Sequence, residues 1–204
     1  MKTNNGTAIN WHYITVSVIF TAIILLLILY YPGIRDFDNN TLKLIRGFCS
    51  PFPQYIPWLM DELSRNYYCW PLITSCSVLI SHKYHLETFL LVFFTQAAFV
   101  IKEMLKGLIG RERPCGDAYP GYSFPSGHSV TTMCFYGILI YLVIKHTRGF
   151  WRYFLVTLFS LIIFFTCFSR LWVGVHYPTD VIAGMFIGFI LVNLYIIFDK
   201  FFQK

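Results

Sequence analysis

The stretch "FSRLWVGVHYPTD" (residues 168–180) decides how the rest of the sequence is interpreted. It places Arg170, His176 and Asp180 between two of the most apolar runs of the chain, 153–169 and 181–198. Ionisable side chains at the edge of a membrane segment cost free energy, so their presence there indicates a functional site. The three residues predict a site at one membrane face.

Composition favours an integral membrane protein. Of the 204 residues, 56% are hydrophobic, 20% are aromatic and only 13% are charged, with a mean hydropathy of +0.58. A soluble domain carries about 25% charged residues. The net charge of +6 suits anionic headgroups or anionic substrates. The basic residues are scattered and form no nucleic-acid-binding module, so we expect no nucleic acid partner. We expect a single membrane domain over residues 1–204.

The six cysteines show no C-x-x-C pair and no metal-ligand spacing. Most lie in apolar runs, where cysteine behaves as a small hydrophobic residue. Cys49 and Cys115 are predicted to lie in loops on one side of the membrane, and whether they pair is left open. The N-terminal run is long for a signal peptide and no cleavage site follows it, so we interpret it as a retained anchor.

Uncharged runs along the chain predict six transmembrane helices and hence an all-α bundle. A membrane-spanning helix needs about 20 residues. The third run falls short of this, and its pattern is predicted to continue through "KEMLKGLIG" and to stop at Gly110. Aromatic residues cluster at the run ends, as in an interfacial belt. The six runs are 13–31, 66–80, 88–101, 129–144, 153–169 and 181–198.

Six spans place both termini on the same side of the membrane. The short loop 145–152 carries three basic residues, which predicts that this side is cytoplasmic. The long first loop, 34–65, allows two interpretations. It is either a packed connector or an interfacial helix that guides a lipid to a site, as the helical spacing of Leu42, Ile45 and Phe48 suggests.

Most polar residues that do not resemble surface residues fall in three segments. These are "KGLIGRERP" (106–114), "PSGH" (125–128) and "SRLWVGVHYPTD" (169–180). With six spans they lie at the end of helix 3, at the start of helix 4, and between helices 5 and 6. All three therefore face the same side, whereas five or seven helices with a different split would separate them. The segments together predict one active site, with its core motifs within residues 106–180.

The polar residues of these segments are typical of a phosphate site. Lys106, Arg113 and Arg170 would bring three cations to headgroup level, and the arginine fork matches phosphate oxygens. "PSGH" opens a helix, where Ser126 offers a hydroxyl and Gly127 allows a ligand to approach the backbone. Free N–H groups at a helix start favour an anion.

Two histidines complete the predicted chemistry. His176 stands four residues before Asp180, which would lie in the first turn of helix 6 with Pro178 as its first residue. A carboxylate bonded to one ring nitrogen fixes the tautomer, so the other nitrogen can act as a nucleophile. His128 is placed to protonate a leaving oxygen, while the cations stabilise the transferring phosphoryl group. Nothing suggests a metal site, and no cofactor is expected.

Other polar residues receive weaker interpretations. Lys102 and Glu103 are interpreted as a simple helix-end pair. Arg111 is either a supporting or headgroup contact or a solvated charge. The remaining histidines, to which no role is assigned, are His12, His82, His85 and His146.

The order KxxxxxxRP, PSGH, SRxxxxxHxxxD resembles the type 2 phosphatidic acid phosphatase family, including bacterial membrane lipid phosphatases. The resemblance covers about the C-terminal half of the chain directly. One departure is Glu112, which stands where many members have proline. The matching positions are Lys106, Arg113, Pro114, Pro125, Ser126, Gly127, His128, Ser169, Arg170, His176 and Asp180.

The resemblance implies a phosphohistidine intermediate formed on His176. It makes His128 the general acid and Asp180 the residue that orients His176. The expected substrate is a lipid phosphate or pyrophosphate: undecaprenyl pyrophosphate, phosphatidylglycerophosphate, phosphatidate or lipid A. No protein partner is implied. The phosphate-binding residues implied are Lys106, Arg113, Ser126, Gly127 and Arg170.

The resemblance also implies a bacterial inner membrane location, and the cytoplasmic termini place the active site on the outer face. Two alternatives to hydrolysis remain. One is a phosphotransferase that passes the same phosphoryl group to a second lipid. The other is a channel or transporter without catalysis, although such a protein would need polar residues spread along its helices. Haloperoxidases share the motifs, but those relatives are soluble, and six apolar helices argue against that activity.

Overall fold

The computed structural model describes residues 11–50, 55 and 84–202, and all regular structure within these ranges is helical. The predicted all-α class is therefore confirmed. The run 66–80, predicted as the second span, lies outside the described residues. A short 3₁₀ turn covers Gly116–Ala118. The helices are α1 Trp11–Tyr30, α2 Gly33–Cys49, α3 His85–Ile109, α4 Gly127–His146, α5 Phe150–Val173 and α6 Pro178–Phe202.

The four C-terminal helices, α3 to α6, are each long and apolar enough to cross a membrane. They contain the predicted runs 88–101, 129–144, 153–169 and 181–198, so those four spans are confirmed. Near the N-terminus, Ile14–Tyr30 and Gly33–Cys49 meet at a bend of 104°, and the pair would count as a fifth span if taken together.

The first half of the long predicted loop is the amphipathic helix α2. It buries Asp38, Leu42 and Cys49 along one face, while Phe37 and Phe48 are more than half exposed on another. A helix with one apolar face exposed and a polar residue held inside suits the membrane interface. The helical spacing of Leu42, Ile45 and Phe48 is confirmed by α2, in which Leu42 faces inward and Phe48 outward. That this helix guides a lipid stays a prediction.

Cys49 and Cys115, whose pairing was left open above, lie in different surroundings. Cys49 lies in α2 and not in a loop, and its side chain is buried. Cys115 caps the short 3₁₀ turn. Both thiols are free.

Close packing of α4 against α6 depends on two glycines one helical turn apart. A Cβ atom at Gly184 would lie 2.9 Å from the carbonyl oxygen of Ser126, and one at Gly188 would lie 2.7 Å from that of Val130. Small residues at this spacing let membrane helices approach backbone to backbone. The start of α4, which carries "PSGH", is consequently pressed against the start of α6.

A buried ionic cluster joins the other ends of α3, α4 and α6. Nζ of Lys145 lies 2.6 Å from both Oε1 of Glu87 and Oδ2 of Asp199. Tyr141 donates to the same Asp199 oxygen at 2.7 Å, and Nε2 of His146 lies 2.8 Å from Glu87. Lys145 was predicted to be a loop charge, but it belongs to the last turn of α4, where it bridges two buried carboxylates. We call this group the Lys145 cluster.

Candidate active site

The three polar segments meet at one end of the bundle, because each borders a helix end that the sequence predicted. Helix α3 ends at Ile109, and Gly110 follows with φ of 61°. Helix α4 begins at Gly127, and α6 begins at Pro178. The chain passes from α5 to α6 through Gly174, whose φ of 78° lies in the left-handed region that favours glycine. These predicted boundaries are confirmed.

His176 lies buried in the turn before α6, with its two ring nitrogens in different surroundings. Nε2 is 3.3 Å from Nη1 of Arg113. Nδ1 is 3.9 Å from Oδ2 of Asp180, which is longer than a normal hydrogen bond. The hydroxyl of Ser123 is nearer, at 3.5 Å from Nδ1. That hydroxyl also donates to Oδ2 of Asp180 at 2.5 Å. Ser123 therefore bridges the carboxylate and the imidazole.

Asp180 is wholly buried and accepts bonds from several directions. The backbone N–H of Tyr177 donates to Oδ2 at 2.9 Å, and Nη1 of Arg111 donates to Oδ1 at 2.5 Å. The guanidinium carbon of Arg111 stands 4.2 Å from the centre of the Tyr177 ring. Of the alternatives for Arg111, the supporting contact is the one observed.

Arg113 is held in place by the backbone. Its Nε donates to the carbonyl of Gly121 and its Nη1 to that of Val175, both at 3.0 Å. Two such bonds fix the plane of the guanidinium beside Nε2 of His176. The Arg113 side chain is thus oriented before any ligand arrives, which is what a preorganised anion site requires.

Burial lowers the pKa of His176 below its usual range, because the interior disfavours the imidazolium. Asp180 opposes this effect, and the positive charges of Arg113 and Lys106 add to it. The neutral imidazole is consequently favoured. A neutral ring presents a lone pair, which is the form that a nucleophile needs.

The other predicted cations lie around the same turn. Arg170 is 3% exposed in the last turn of α5, and its Nε and Nη2 lie 3.2 and 3.0 Å from Oγ of Ser169. Nζ of Lys106 is 3.9 Å from Oε1 of Glu103 at the end of α3. The charge of Arg170 acts on Arg113, and that of Lys106 acts on both Arg113 and His176.

Lys102 was interpreted too simply. It does pair with Glu103, at 3.0 Å, but its side chain is buried against the start of α4. A Cβ atom at Gly127 would lie 3.0 Å from Cδ of Lys102 and 3.3 Å from Nζ. Gly127 therefore leaves room for the lysine. The sequence did indicate that Lys102 faces the site, because it lies four residues before Lys106 and so shares its helical face.

"PSGH" is fixed to α6 through its serine. The N–H of Ser126 donates to the carbonyl of Asp180 at 3.1 Å, and its hydroxyl accepts from Ser129 at 3.0 Å. His128 follows in the first turn of α4 and is partly exposed. The motif is therefore held against the residue predicted to orient His176.

Two residues of this network escaped the sequence interpretation. Ser123 offers no signal except its position before "PSGH". Asp38, on α2, accepts from the N–H of Thr179 at 3.1 Å and from Nη2 of Arg111 at 2.6 Å. The sequence did contain an indication for Asp38. It stands four residues before Leu42 and so shares a helical face with it, and this face is buried in the structure.

A bundle of membrane helices with these three motifs gathered at one end defines a protein of the PAP2 type. Residues 87–203 match the sequence profile of the PAP2 superfamily, and the chain belongs to that superfamily. The resemblance seen in the motifs is thereby confirmed.

Two relatives of the chain are named as lipid phosphatases. The chain is 34% identical over 118 residues to phosphatidylglycerophosphatase B of Bacillus subtilis, covering 54% of this chain and 56% of the relative. It is 26% identical over 175 residues to lipid A 4'-phosphatase of Bacteroides thetaiotaomicron, covering 76% and 73%. The match thus spans little more than half the length of the first relative.

The fold is also that of a solved structure. The transmembrane PAP2 type phosphatidylglycerolphosphate phosphatase from Bacillus subtilis superposes with a TM-score of 0.81, over 95% of this chain and 98% of the other. The two sequences are 21% identical. The similarity establishes a shared architecture.

Proposed function

We propose that the chain is a membrane lipid phosphatase that hydrolyses a phosphate monoester or pyrophosphate through a phosphohistidine intermediate on His176. The observation that carries the proposal is the asymmetry of this imidazole. Its Nε2 faces the guanidinium of Arg113 at 3.3 Å, while its Nδ1 faces the Ser123–Asp180 pair. An imidazole whose Nδ1 side faces a carboxylate and whose Nε2 faces a cation is set up to attack an anionic phosphoryl group.

In the first step, Nε2 of His176 attacks phosphorus and the bond to the leaving oxygen breaks. His128 donates a proton to that oxygen, so the alcohol or lipid phosphate leaves protonated. Arg113, Arg170 and Lys106 offset the negative charge on the equatorial oxygens. The negative charge of Asp180 stabilises the cationic ring formed during the attack.

In the second step, water attacks the phosphohistidine. His128, now neutral, takes the proton from this water, and the phosphorus–nitrogen bond breaks to release inorganic phosphate. His176 returns to its neutral form. The ring that leaves is neutral, which is the form that burial and the lowered pKa of His176 favour.

The substrates we propose follow the relatives: phosphatidylglycerophosphate and lipid A phosphate, together with phosphatidate and undecaprenyl pyrophosphate as further candidates. We also propose cytoplasmic termini and an active site on the outer face of a bacterial inner membrane. The exposed apolar side chains of α2 support placement of the site at headgroup level.

The test is phosphate release from a panel of these four lipids in detergent, with and without EDTA. His176→Ala should abolish release from every lipid. The matched control is His85→Ala, an exposed histidine at the opposite end of α3, which should retain wild-type turnover. Full turnover by His176→Ala would contradict the proposal, and complete loss on chelation would contradict the metal-free mechanism.

The same experiment separates the alternatives. A phosphotransferase would convert an added acceptor lipid into a phosphorylated product instead of releasing phosphate. A channel or transporter would move substrate across proteoliposomes with no phosphate release. The polar residues of the three motifs gather at one end of the bundle and are not spread along the helices, which supports the phosphatase over a pathway through the bundle.

A further inference from the structure

Asp38 is a wholly buried carboxylate on a helix that the three motifs do not include. Its exposed fraction is 0%, although most of α2 faces outward. A buried carboxylate costs several kcal/mol unless it is paired and hydrogen-bonded. Asp38 is both, and every one of its partners belongs to the candidate active site.

The contacts of Asp38 reach the start of α6. Oδ1 accepts the backbone N–H of Thr179 at 3.1 Å, and Oδ2 accepts its hydroxyl at 2.6 Å. This N–H is one of the donors that a helix start leaves without a partner inside the helix. Asp38 therefore caps α6 from another helix, one residue before Asp180.

Arg111 links the two carboxylates. Its Nη2 donates to Oδ2 of Asp38 at 2.6 Å and its Nη1 to Oδ1 of Asp180 at 2.5 Å. Nη1 also donates to the hydroxyl of Thr179 at 2.8 Å. With the ring of Tyr177 beneath it, the guanidinium has little freedom to turn. The guanidinium is therefore held between Asp38 and Asp180.

Asp180 in turn presents its second oxygen to Ser123 and, beyond it, to Nδ1 of His176. We propose that Asp38, acting through Arg111, is a positioning residue for this nucleophile. Helix α2 thereby completes the site from outside the three motifs. This inference rests on the proposed function for its kinetic consequences, but it also has a readout that needs no turnover.

The alternative is that Asp38 only fastens α2 to the bundle. Loss of a tether alone would lower stability and leave kcat and the titration of His176 as in the wild type, whereas loss of a residue that positions Arg111 and Asp180 would change both. Removing the negative charge of Asp38 should make protonation of His176 harder, and removing the positive charge of Arg111 should make it easier. The charged groups that act on His176 directly are Asp180 on α6, Arg113 after α3 and Lys106 on α3. Arg170 on α5 acts on Arg113, while Arg111 and, behind it, Asp38 on α2 connect to His176 through Asp180.

The experiment compares Asp38→Asn, Arg111→Gln and the double variant, with Asp36→Asn as the matched control. Asp36 lies on the same helix and is exposed. Phosphate release is measured against pH in detergent at a temperature where every variant is folded. Asp38→Asn should lower kcat by about 10- to 100-fold, as loss of a supporting hydrogen-bond partner does in other sites, while KM changes by less than about threefold.

The pH profiles should move in opposite directions. The acid limb of kcat/KM should shift to lower pH in Asp38→Asn and to higher pH in Arg111→Gln, and should return toward wild type in the double variant. Asp36→Asn should match wild type in all respects. If Asp38→Asn lowers thermal stability but keeps wild-type kcat and acid limb, Asp38 is only a tether and the inference is wrong.

Two further measurements keep the test decisive. Thr179→Val removes the hydroxyl that donates to Asp38, with little change of side-chain volume, and activity should fall. Thr179→Ser keeps a hydroxyl at this position, and activity should recover. The titration of His176, followed by NMR with ¹⁵N-histidine and assigned through His176→Ala, should shift in the same opposite directions. If these shifts occur in a protein that releases no phosphate, the proposed function fails and the positioning stands; if they are absent, the positioning fails.

Discussion

Ser123 donates a hydrogen bond of 2.5 Å to Oδ2 of Asp180, across 57 residues of sequence. The serine is wholly buried, and its backbone N–H is bonded to the carbonyl of Arg111 at 2.7 Å. The loop between α3 and α4 is thereby joined to the start of α6 by side chain and backbone together. Without this bond, Asp180 and His176 would face each other across a gap of 3.9 Å with no hydroxyl between them.

Replacing this hydroxyl should therefore slow the chemistry more than it weakens binding. Ser123→Ala is expected to lower kcat by about 10-fold, in the range that loss of a group orienting a catalytic residue produces, with KM little changed. The control is Ser50→Ala, because this exposed hydroxyl bonds the carbonyl of Gly47 at its own helix end. Steady-state phosphate release checks the prediction, and unchanged kcat in Ser123→Ala would contradict the bridging role.

The buried position of His176 predicts an unusually low acid limit of activity. Only the neutral ring can attack, and burial lowers the pKa of His176, so activity should persist as pH falls and be lost only below the usual histidine value of about 6.5. The measurement is kcat/KM against pH. A phosphate monoester itself titrates near about pH 6, so a pyrophosphate lipid should be tested beside it. If the acid limb of kcat/KM lies above the usual histidine pKa with both substrates, the prediction is wrong.

Because Lys102 contacts Gly127, we expect the effect of Gly127→Ala on kcat/KM to depend on whether Lys102 is present. Gly127→Ala should lower kcat/KM, because the added methyl lies 3.0 Å from Cδ of Lys102 and must displace that side chain. In a Lys102→Ala background the same methyl should cost little. A double-mutant cycle on kcat/KM measures the coupling. If Gly127→Ala costs the same in both backgrounds, the glycine serves the approach of the ligand and not the lysine.

The Lys145 cluster should matter for stability and not for chemistry. Lys145→Met removes the cation that bridges the buried carboxylates of Glu87 and Asp199, which is expected to cost about 3 kcal/mol of unfolding free energy. Thermal unfolding in detergent should show a lower midpoint, while kcat at low temperature stays within about twofold, because the cluster lies at the far end of the helices. Lys200→Met, at an exposed position of α6, serves as the control. An equal midpoint in the two variants would show that the cluster contributes nothing.

The sequence was most informative where a local rule fixes the backbone. Gly110 as a helix stop and Pro178 as a helix start follow from the conformations that these two residues allow, and both are observed. Gathering of the motifs at one end followed from the number of apolar runs. Such features need only nearby residues or a count of spans.

Contacts between segments that are distant in sequence could not be predicted from rules that use only neighbouring residues. Asp38 bonds to Thr179 across 141 residues, and no periodicity within α2 identifies its partner. Lys145 resembled a positively charged loop residue because its two carboxylate partners lie 58 and 54 residues away. Arg111 could not be separated from a solvated charge until both of its acceptors were known. In each case the missing information is which helices are neighbours, and that depends on packing of the whole bundle.

Helix α6 carries a buried carboxylate near each end, Asp180 in its first turn and Asp199 close to its last. At 1.5 Å per residue, the 19 steps between them span about 28 Å, which is about the thickness of a bilayer's hydrocarbon core. Asp199 is bonded to α4, and Asp180 is bonded to the loop between α3 and α4, so the helix has a fixed length and a fixed rotation between two attachment points. Inserting or deleting one residue between them would turn one end by about 100° relative to the other. Evolution can therefore vary the side chains of α6 that face lipid, but it cannot change the number of residues between its two anchors.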